Sequence, residues 1–270
     1  MTVLYLVATP IGNLEDTSFR AINTLRNVGL IAAEDTRTTR KLLQRYGVNT
    51  PLLSYYKDNE IARIDRILNE LEKHDVALVS EAGTPVISDP GQALVKAVVQ
   101  AGIGVISIPG PSSITTAIAL SGFPADQFIS LGFLPRRRSA RLKLWTNLAQ
   151  VGYTIVFFEA PHRIKASLQD MADSLGERNI VICRELSKRY EEVIRGTPLS
   201  TLEHLSLPKG EFTVVVEGAW KPNVDPDTTG IVRALAQLKN AGYSVRDASK
   251  EILAKYHSTR RIIYELWLDL

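Results

Sequence analysis

Cysteine is nearly absent from this 270-residue sequence, which contains a single copy, Cys183. One thiol excludes an internal disulfide and a metal site built from several thiolates. No apolar run approaches the ~20 residues needed to cross a bilayer, and the apolar N-terminus lacks the basic lead and small-residue cleavage site of a signal peptide. The sequence therefore predicts a cytoplasmic protein without a membrane partner.

Histidine is also scarce, and the four copies show no spacing typical of metal ligands: His74, His162, His204 and His257. We therefore expect no metal. The P-loop signature, with its lysine and following hydroxyl residue, is missing as well. Gly102-Ile-Gly104 does not suit dinucleotide binding, because it precedes a predicted strand instead of following one.

Neither sign of charge dominates, since the formal net charge is only +3. That value is too small to demand a nucleic-acid partner, but the charge is unevenly distributed. Two segments, 36–57 and 127–158, contain basic residues and no acid. Their cations are Arg37, Arg40, Lys41, Arg45 and Lys57 in the first, and Arg136, Arg137, Arg138, Arg141 and Lys143 in the second. The two blocks favour one positive face that binds phosphates, and a solvated helix surface is the alternative for either block.

Short β-rich runs alternate with helical patterns through the first 120 residues. In one helical pattern the apolar residues recur with a spacing of three and four: Ile61, Ile64, Ile67, Leu68 and Leu71. Such alternation predicts a parallel sheet covered by helices on both faces. We expect its strands near 3–7, 30–33, 51–54, 76–80 and 105–108. Sheets of this kind bind ligands at the carboxyl ends of their strands.

Glycine, proline and aspartate in Ser121–Asp126 interrupt this pattern, and we place a domain boundary there. The first domain then covers 1–120. The second, 126–220, is predicted to have a mixed sheet, because two consecutive strands near its end lack a long helix between them. A linker at 221–227 leads to a tail, 226–270, with three helical stretches. Their spacing suits either a helix-turn-helix or a plain helical hairpin.

Four loops rich in glycine, proline and hydroxyl residues each follow a predicted strand of the first domain. They are ATPIGNLED (8–16), AEDTR (33–37), SEAGTPVISDPG (80–91) and IPGPSS (108–113). All four should gather at one edge of the sheet. Helix capping explains single residues in them, but not their length, nor Gly12, Gly83 and Gly110, which permit close backbone approach to a ligand. Small groups and free amides suit a nucleoside and an amino-acid moiety better than a triphosphate.

An acid at the end of the second strand, Glu34 or Asp35, supports an alternative ligand. About twenty residues past a glycine turn, an acid in this position binds the ribose of a dinucleotide. The turn here has one glycine where the dinucleotide fingerprint has three, so NAD is the weaker hypothesis.

Seven strings of the sequence, in this order, identify a family. VATPIGNLED, AEDTRTTRKLL, SEAGTPVISDPG, IPGPSS, FEAPHR, CRELSKRYEE and KGEFTVVVEG resemble bacterial small-subunit ribosomal RNA methyltransferases of the tetrapyrrole-methylase fold. The similarity extends from Leu4 to about Gly218, and the tail resembles the helix-turn-helix extension of those enzymes. The resemblance implies two α/β domains with S-adenosylmethionine in the cleft between them, plus a small C-terminal helical extension. The implied reaction is 2′-O-methylation of a cytidine ribose in the decoding region of 16S rRNA.

The resemblance also assigns cofactor contacts to particular residues. In the first domain these are Pro10 and Gly12 of the first loop, Glu81, Ala82, Gly83 and Thr84 of the third, and Ser112 and Ser113 of the fourth. Relatives usually have a Gly-Asp-Pro turn where this chain has residues 81–84. The second domain would contribute Phe158, Glu159, Glu211 and Phe212.

Methyl transfer to a ribose hydroxyl also needs a group that helps the proton to leave, either a base or a cation that lowers the pKa of the hydroxyl. The candidates at the domain interface are Glu34, Asp35, Arg37, Arg184, Glu185 and Lys188. Of these we select Asp35, Glu185 and Lys188 as catalytic. A structural salt bridge is the alternative role for each of them.

The expected partners are the small ribosomal subunit with its 16S rRNA, and a second copy of the chain in a homodimer. We assign the RNA contacts to seven arginines: Arg37, Arg136, Arg137, Arg138, Arg163, Arg260 and Arg261. Two alternatives remain. One is an enzyme of the same fold that acts on a tetrapyrrole, against which the basic blocks and the tail argue. The other is a catalytically silent RNA-binding or ribosome-assembly protein.

Overall fold

The computed structural model describes residues 2–205, 209–219, 228–256, 258 and 260–270. Contacts divide the chain into two compact units, Met1–Ala219 and Trp220–Leu270. The first unit contains two five-stranded sheets, and the second is helical. None of the described helices is long and apolar enough to span a membrane.

The first sheet is parallel, as the alternation of strands and helices predicts. Its strands are β1 (Val3–Val7), β2 (Leu30–Ala33), β3 (Leu52–Ser54), β4 (Val76–Val79) and β5 (Gly104–Ile108). The helices that follow them are α1 (Phe19–Asn27), α2 (Thr36–Arg45), α3 (Glu60–Leu71), α4 (Gln92–Gln100) and α5 (Ser113–Ser121). The strand order is β3-β2-β4-β1-β5. The strands that precede the four loops are thus consecutive neighbours, and their loops leave the sheet side by side.

Helices cover both faces of this sheet. Leu25 of α1 and Leu42 of α2 are buried on one face, and Ile67 of α3 and Leu94 of α4 on the other. Each such side chain contributes roughly 1.5–3 kcal/mol when it leaves water. The predicted spacing of α3 is confirmed at Ile67, whereas Ile61 in its first turn is exposed.

The second sheet is mixed, as predicted. Its strands are β6 (Phe128–Phe133), β7 (Thr154–Glu159), β8 (Ile180–Arg184), β9 (Glu192–Gly196) and β10 (Phe212–Val216), in the order β6-β7-β10-β8-β9. Only the β6–β7 pair is parallel. The helices are α6 (Arg138–Leu148), α7 (Ile164–Leu175) and α8 (Pro198–His204). Trp145 and Phe157 meet edge to face in the core that α6 and α7 form with this sheet.

Helix α8 lies between β9 and β10 and was not among the predicted elements. It has 7 residues, too few to show an apolar period. The sequence nevertheless contains a start signal for this helix, because Thr197 and Ser200 form a reciprocal capping box and Pro198 occupies the first helical turn.

Helix α5 follows the first sheet in the chain but packs on the second. Ile114, Ala117 and Ile118 are buried against Val156 of β7 and Val215 of β10. This packing joins the two sheets within one compact unit. The chain passes from one sheet to the other between α5 and β6, where the boundary was placed, and the domain limits 1–120 and 126–220 stay a prediction.

The described residues of the second unit form α9 (Thr228–Asn240), α10 (Val245–Lys255) and α11 (Arg260–Leu268). The three helices share a core of Ile231, Leu235, Ala248, Ile252 and Ile263. They thus form a unit with its own interior. The predicted linker, 221–227, lies outside the described residues.

Candidate functional site

The four loops converge on one cavity of about 460 Å³, as their positions after neighbouring parallel strands predict. The residues that line it are Ile11 of the first loop, Glu34 of the second, 81–84 and 87–89 of the third, and Ser112 and Ser113 of the fourth, followed by Ile114 of α5. The volume lies in the range of small-molecule sites.

The second sheet forms the opposite wall of this cavity. Phe133 at the end of β6, Phe158 at the end of β7 and Phe212 at the start of β10 line it, together with Cys183 and Leu186. Phe133 and Phe158 are in contact, with ring centroids 5.4 Å apart. The cavity therefore lies in the cleft between the two sheets.

Ten of the twelve residues assigned to the cofactor line this cavity: Glu81, Ala82, Gly83, Thr84, Ser112, Ser113, Phe158, Glu159, Glu211 and Phe212. Pro10 and Gly12 are not among its lining residues; Ile11 between them is. A Cβ at Gly12 would lie 2.5 Å from Lys188 Cγ and 2.7 Å from the Leu186 carbonyl oxygen. Glycine at this position thus lets the first loop contact the loop after β8, and its cofactor contact stays a prediction.

The third loop is fixed to the first loop, just after the end of β1. Thr9 and Gly83 exchange two backbone hydrogen bonds, of 2.9 and 3.0 Å. Gly83 has φ +81°, a left-handed conformation that favours glycine. Val86 and Ser88 of the same loop also have positive φ, at 75° and 66°. Such residues cost about 1–3 kcal/mol each and cluster at functional sites.

The wall of the cavity is acidic. Glu34, Glu81, Asp89, Glu159 and Glu211 line it, and none of its described lining residues is lysine or arginine. Glu34 accepts a hydrogen bond of 3.1 Å from the Glu81 amide. Burial, then the neighbouring carboxylates of Asp35 and Glu34, raise the pKa of Glu81. Such a wall favours a cationic ligand.

Asp89 is a lining residue that the sequence analysis did not select. Helix capping is the alternative role for single residues of this loop, but the N-cap of α4 is Gly91, not Asp89. Burial and then the charge of Glu34 raise the pKa of Asp89 to about 7. Its carboxyl can therefore exchange a proton at neutral pH. Burial likewise raises the pKa of the Cys183 thiol, to about 11, so that thiol is protonated and inert at neutral pH.

Glu185 and Lys188 form one cluster with Glu211. Lys188 Nζ lies 3.0 Å from Glu185 Oε1 and 3.1 Å from Glu211 Oε2. Burial opposes charge on Lys188, but hydrogen bonds and attraction to these carboxylates outweigh it and raise the pKa of the ammonium. Burial also acts on Glu185, where hydrogen bonds from the Glu211 amide and Lys188 outweigh it and lower the pKa. Both groups stay charged at neutral pH, which suits Lys188 to act as a fixed cation.

Asp35 serves as the N-cap of α2 and does not line the cavity. Its Oδ1 accepts hydrogen bonds from the amides of Arg37, at 2.7 Å, and Thr38, at 3.3 Å. Its Oδ2 accepts a third from the Arg37 guanidinium at 2.8 Å. The hydrogen bonds from Arg37 lower the pKa of Asp35 to about 2. The structural alternative thus accounts for Asp35, while its neighbour Glu34 faces the cavity.

The arginines of the second basic block differ in their surroundings. Arg136 and Arg137 are exposed. Arg138 lies 2.8 Å from Asp170 and 3.2 Å from Asp173. Arg141 is buried and pairs with Asp170 at 2.7 Å. Part of this block therefore joins α6 to α7.

Arg163 is also held within the fold. Its guanidinium lies 3.2 Å from Glu159, donates to the Leu134 carbonyl at 2.8 Å, and its side chain is only 19% exposed. Arg37, by contrast, is 85% exposed despite its ion pair with Asp35. The side chains of Arg260 and Arg261 lie outside the described residues. The RNA contacts assigned to all these arginines stay predictions.

Two sheets enclosing one loop-lined cavity define an α/β fold shared with solved methyltransferases. A cobalamin biosynthetic enzyme, cobalt precorrin-4 methyltransferase, superposes with a TM-score of 0.61 at 15% identity, over 82% of this chain and 96% of that one. A uroporphyrin-III C-methyltransferase from Thermus thermophilus, complexed with S-adenosyl homocysteine, gives 0.57 at 16% identity, over 81% and 98%. These likenesses confirm the expected fold.

The family model described as Tetrapyrrole (Corrin/Porphyrin) Methylases matches residues 3–203, and the chain belongs to this family. Membership confirms the methyltransferase class and the S-adenosylmethionine-dependent chemistry expected from the sequence.

Relatives named "Ribosomal RNA small subunit methyltransferase I" are similar over most of the chain. The relative from Synechocystis sp. is 43% identical over 100% of this chain and 99% of its own length. The relative from Halalkalibacterium halodurans is 42% identical over 98% and 94%. The relative from Thermotoga maritima is 47% identical over 81% of this chain and 99% of its own length.

Proposed function

We propose that this protein transfers a methyl group from S-adenosylmethionine to the 2′-hydroxyl of a cytidine ribose in the decoding region of 16S rRNA. The observation that carries the proposal is the similarity, at 43% identity over the full chain, to a relative named as a small-subunit ribosomal RNA methyltransferase. The proposed enzyme works as a homodimer in the cytoplasm.

The cavity fits the cofactor in size and chemistry. S-adenosylmethionine has an adenine ring, a ribose and an amino-acid end, with positive charge on the sulfonium and the ammonium groups. Phe133, Phe158 and Leu186 offer an apolar surface to the ring. The carboxylates of Glu81 and Asp89 attract the positive charges of the cofactor. Gly83, which also lines the cavity, forms an antiparallel β-bridge with Thr9.

The chain's own residues position the acceptor and help its hydroxyl to lose a proton. The bound cofactor supplies an electrophilic methyl group, so orientation of the ribose hydroxyl provides much of the rate. Lys188, held at the rim of the cavity by Glu211, stabilises negative charge as the hydroxyl loses its proton. Asp89 lines the cofactor cavity, and its pKa of about 7 lets its carboxyl exchange a proton at neutral pH.

Labelled methyl transfer tests this proposal. The protein is incubated with radiolabelled S-adenosylmethionine and, separately, small ribosomal subunits, large subunits and uroporphyrinogen III. We expect label only in the small-subunit RNA. Label in the tetrapyrrole would show that the chain shares the substrate class of the structural neighbours, and cofactor binding without transfer to any acceptor would support a catalytically silent protein.

A further inference from the structure

A second cavity, here called the basic groove, adjoins the cofactor cavity. Its volume is about 530 Å³, and it is lined on one side by Gly12 and on the other by Ser187. The residues that precede these two in the chain, Ile11 and Leu186, line the cofactor cavity. The two cavities therefore share a wall, formed where the first loop contacts the loop after β8.

The basic groove has the opposite charge to the cofactor cavity. Among its described lining residues, Arg45, Lys188 and Arg189 are basic and Glu15 is the single acid. Arg45 and Arg189 are exposed, and no ion pair joins either to a carboxylate in the described part of the chain. Their charges are thus available to a ligand. An acidic cavity beside a basic groove suits a cationic donor next to a polyanionic acceptor.

The loop that carries Lys188 and Arg189 is fixed by hydrogen bonds on both sides. The Ser187 amide donates to Glu191 Oε2 at 2.6 Å, and the Ser187 hydroxyl donates to Asp16 of the first loop. The Glu185 amide donates to the Glu211 carbonyl at 3.0 Å. The groove is therefore formed before a ligand arrives, which lowers the entropy lost on binding.

Tyr190 extends the groove with an aromatic surface. Its side chain is 72% exposed, and the Arg189 guanidinium carbon lies 5.6 Å from the centroid of its ring. Burial of an exposed ring of this size by a partner is favourable, because apolar surface then leaves water. Proteins that bind single-stranded RNA stack unpaired bases on aromatic rings and on arginine planes.

We propose that the basic groove binds the phosphodiester backbone beside the methylated nucleotide, through Arg45 and Arg189, and that Tyr190 stacks on a neighbouring base. This inference rests on the proposed function for the identity of the acceptor. Lys188 connects the two sites, because it lines the groove and its ammonium contacts Glu211 of the cofactor cavity. RNA held in the groove therefore has its ribose at the rim from which the methyl group is delivered.

The test compares Arg45→Glu, Arg189→Glu and the double variant with Arg66→Glu, a matched control. Arg66 is exposed on α3, on the opposite face of the first sheet from α2. Fluorescence anisotropy measures binding of a fluorescein-labelled single-stranded RNA across a salt series. For the double variant we expect at least about tenfold weaker binding at low salt, and a salt slope smaller by about 1.4, as the loss of two phosphate contacts gives. Double-variant binding equal to that of the Arg66→Glu control would overturn the proposal.

A second pair of variants tests the stacking role. Tyr190→Ala should weaken RNA binding about fivefold to a hundredfold, whereas Tyr190→Phe, which keeps the ring, should bind as the native protein does. Equal loss in both variants, or in neither, contradicts stacking by the ring. S-adenosylhomocysteine affinity, measured by calorimetry, should be unchanged in all groove variants.

Kinetics on small ribosomal subunits separate this inference from the proposed function. The charge variants should raise KM for the subunits at least about tenfold and leave kcat within about threefold of native. If the native protein methylates subunits and the variants have unchanged KM, the groove proposal fails alone. If the native protein binds RNA through the groove but methylates no subunit, the proposed function fails alone.

Discussion

The ammonium nitrogen of Lys188 lies 3.1 Å from the Oε2 oxygen of Glu211, and this ion pair marks the border between the basic groove and the acidic cavity. Glu211 precedes β10 and Lys188 follows β8, two strands that pair directly in the second sheet. The antiparallel pairing brings the two residues together although 22 residues separate them in the chain. A charge-assisted contact in this position can act at once on a ligand in the basic groove and on a ligand in the acidic cavity.

Replacement of Lys188 should impair methyl transfer more than cofactor binding. In Lys188→Met the hydroxyl loses its neighbouring cation, and we expect kcat to fall at least about tenfold. Affinity for S-adenosylhomocysteine should change less than about threefold, because Lys188 does not line the cofactor cavity. Stopped-time methylation assays and calorimetry measure the two quantities. Lys188→Arg, which retains the charge, should recover part of the rate, and Lys96→Met on the exposed side of α4 is the control.

Gly83→Val should weaken cofactor binding much more than it lowers folding stability. Gly83 lines the cavity at φ +81°, and a Cβ there would lie 3.5 Å from Ile11 Cγ2. A branched side chain would project into the space of the ligand. Gly47 is the matched control, since its φ is +63° and no atom lies within 4 Å of a built Cβ. Both valine variants carry the backbone strain of a left-handed residue.

Calorimetry and thermal melting distinguish these two glycine variants. Similar decreases in Tm, with loss of cofactor affinity only in Gly83→Val, support a ligand-contacting loop. A Gly83→Val protein that melts far below the Gly47→Val protein, yet binds the cofactor normally when folded, would show that the loop is purely structural.

Asp89→Asn should change the way in which folding stability and cofactor affinity depend on pH. Burial first, then Glu34, raise the pKa of Asp89 from 3.8 to about 7, so the unfolded chain loses this proton near pH 4 and the folded chain near pH 7. The native carboxyl therefore destabilises the fold progressively between those values, and the full cost persists above pH 7. The Tm of Asp89→Asn relative to native should rise from pH 4 to pH 7 and then level off.

The same ionisation should govern cofactor binding. The native protein should bind S-adenosylmethionine more tightly as pH rises from 6 to 8, because the ionised carboxylate attracts its positive charge. Asp89→Asn should lack this increase, and the neutral thioether of S-adenosylhomocysteine should show less of it. Asp58→Asn, at an exposed position, is the control. Identical pH profiles for the native and Asp89→Asn proteins would exclude a role for this carboxyl.

Removal of residues 225–270 should impair RNA methylation and leave cofactor affinity largely intact. Each of the two units has its own buried core, so Met1–Ala219 should fold without the tail. The salt dependence of methylation should become weaker if Arg260 and Arg261 contact phosphates. Circular dichroism comes first, followed by methylation across a salt series. A folded truncation with full activity and an unchanged salt slope would rule out an RNA-binding tail. The truncated chain can be compared with the Thermotoga maritima relative, 99% of whose length aligns with 81% of this chain.

Local signals in the sequence were sufficient for most of the fold. Strands β1 and β2 have the predicted limits, and the four loops meet as expected because parallel strands end at one edge. Helix α8 was missed because seven residues show no period. The mixed sheet was predicted, but its strand order was not, since pairing such as β7 with β10 joins residues more than fifty positions apart.

The site was predictable only in part, for the same reason. Residues on the loops that face the ligand were found through glycine, proline and family strings. The partners of Arg138 and Arg163 could not be predicted, because Asp170 and the Leu134 carbonyl contact these arginines only in the folded chain. For Asp89, which follows a strand in the third loop, helix capping was an equally simple role, and only the structure shows that Gly91 caps α4 and that Asp89 lines the cavity.

Nucleoside analysis of the reacted RNA tests the central claim most directly. Small ribosomal subunits are methylated with S-adenosylmethionine that has a deuterated methyl group, and the 16S rRNA is digested to nucleosides for mass spectrometry. The account predicts the heavy methyl group in 2′-O-methylcytidine, with at least about tenfold less of this product from Lys188→Met at equal time. Heavy methyl on a base, on another nucleoside, or on no RNA at all would contradict it.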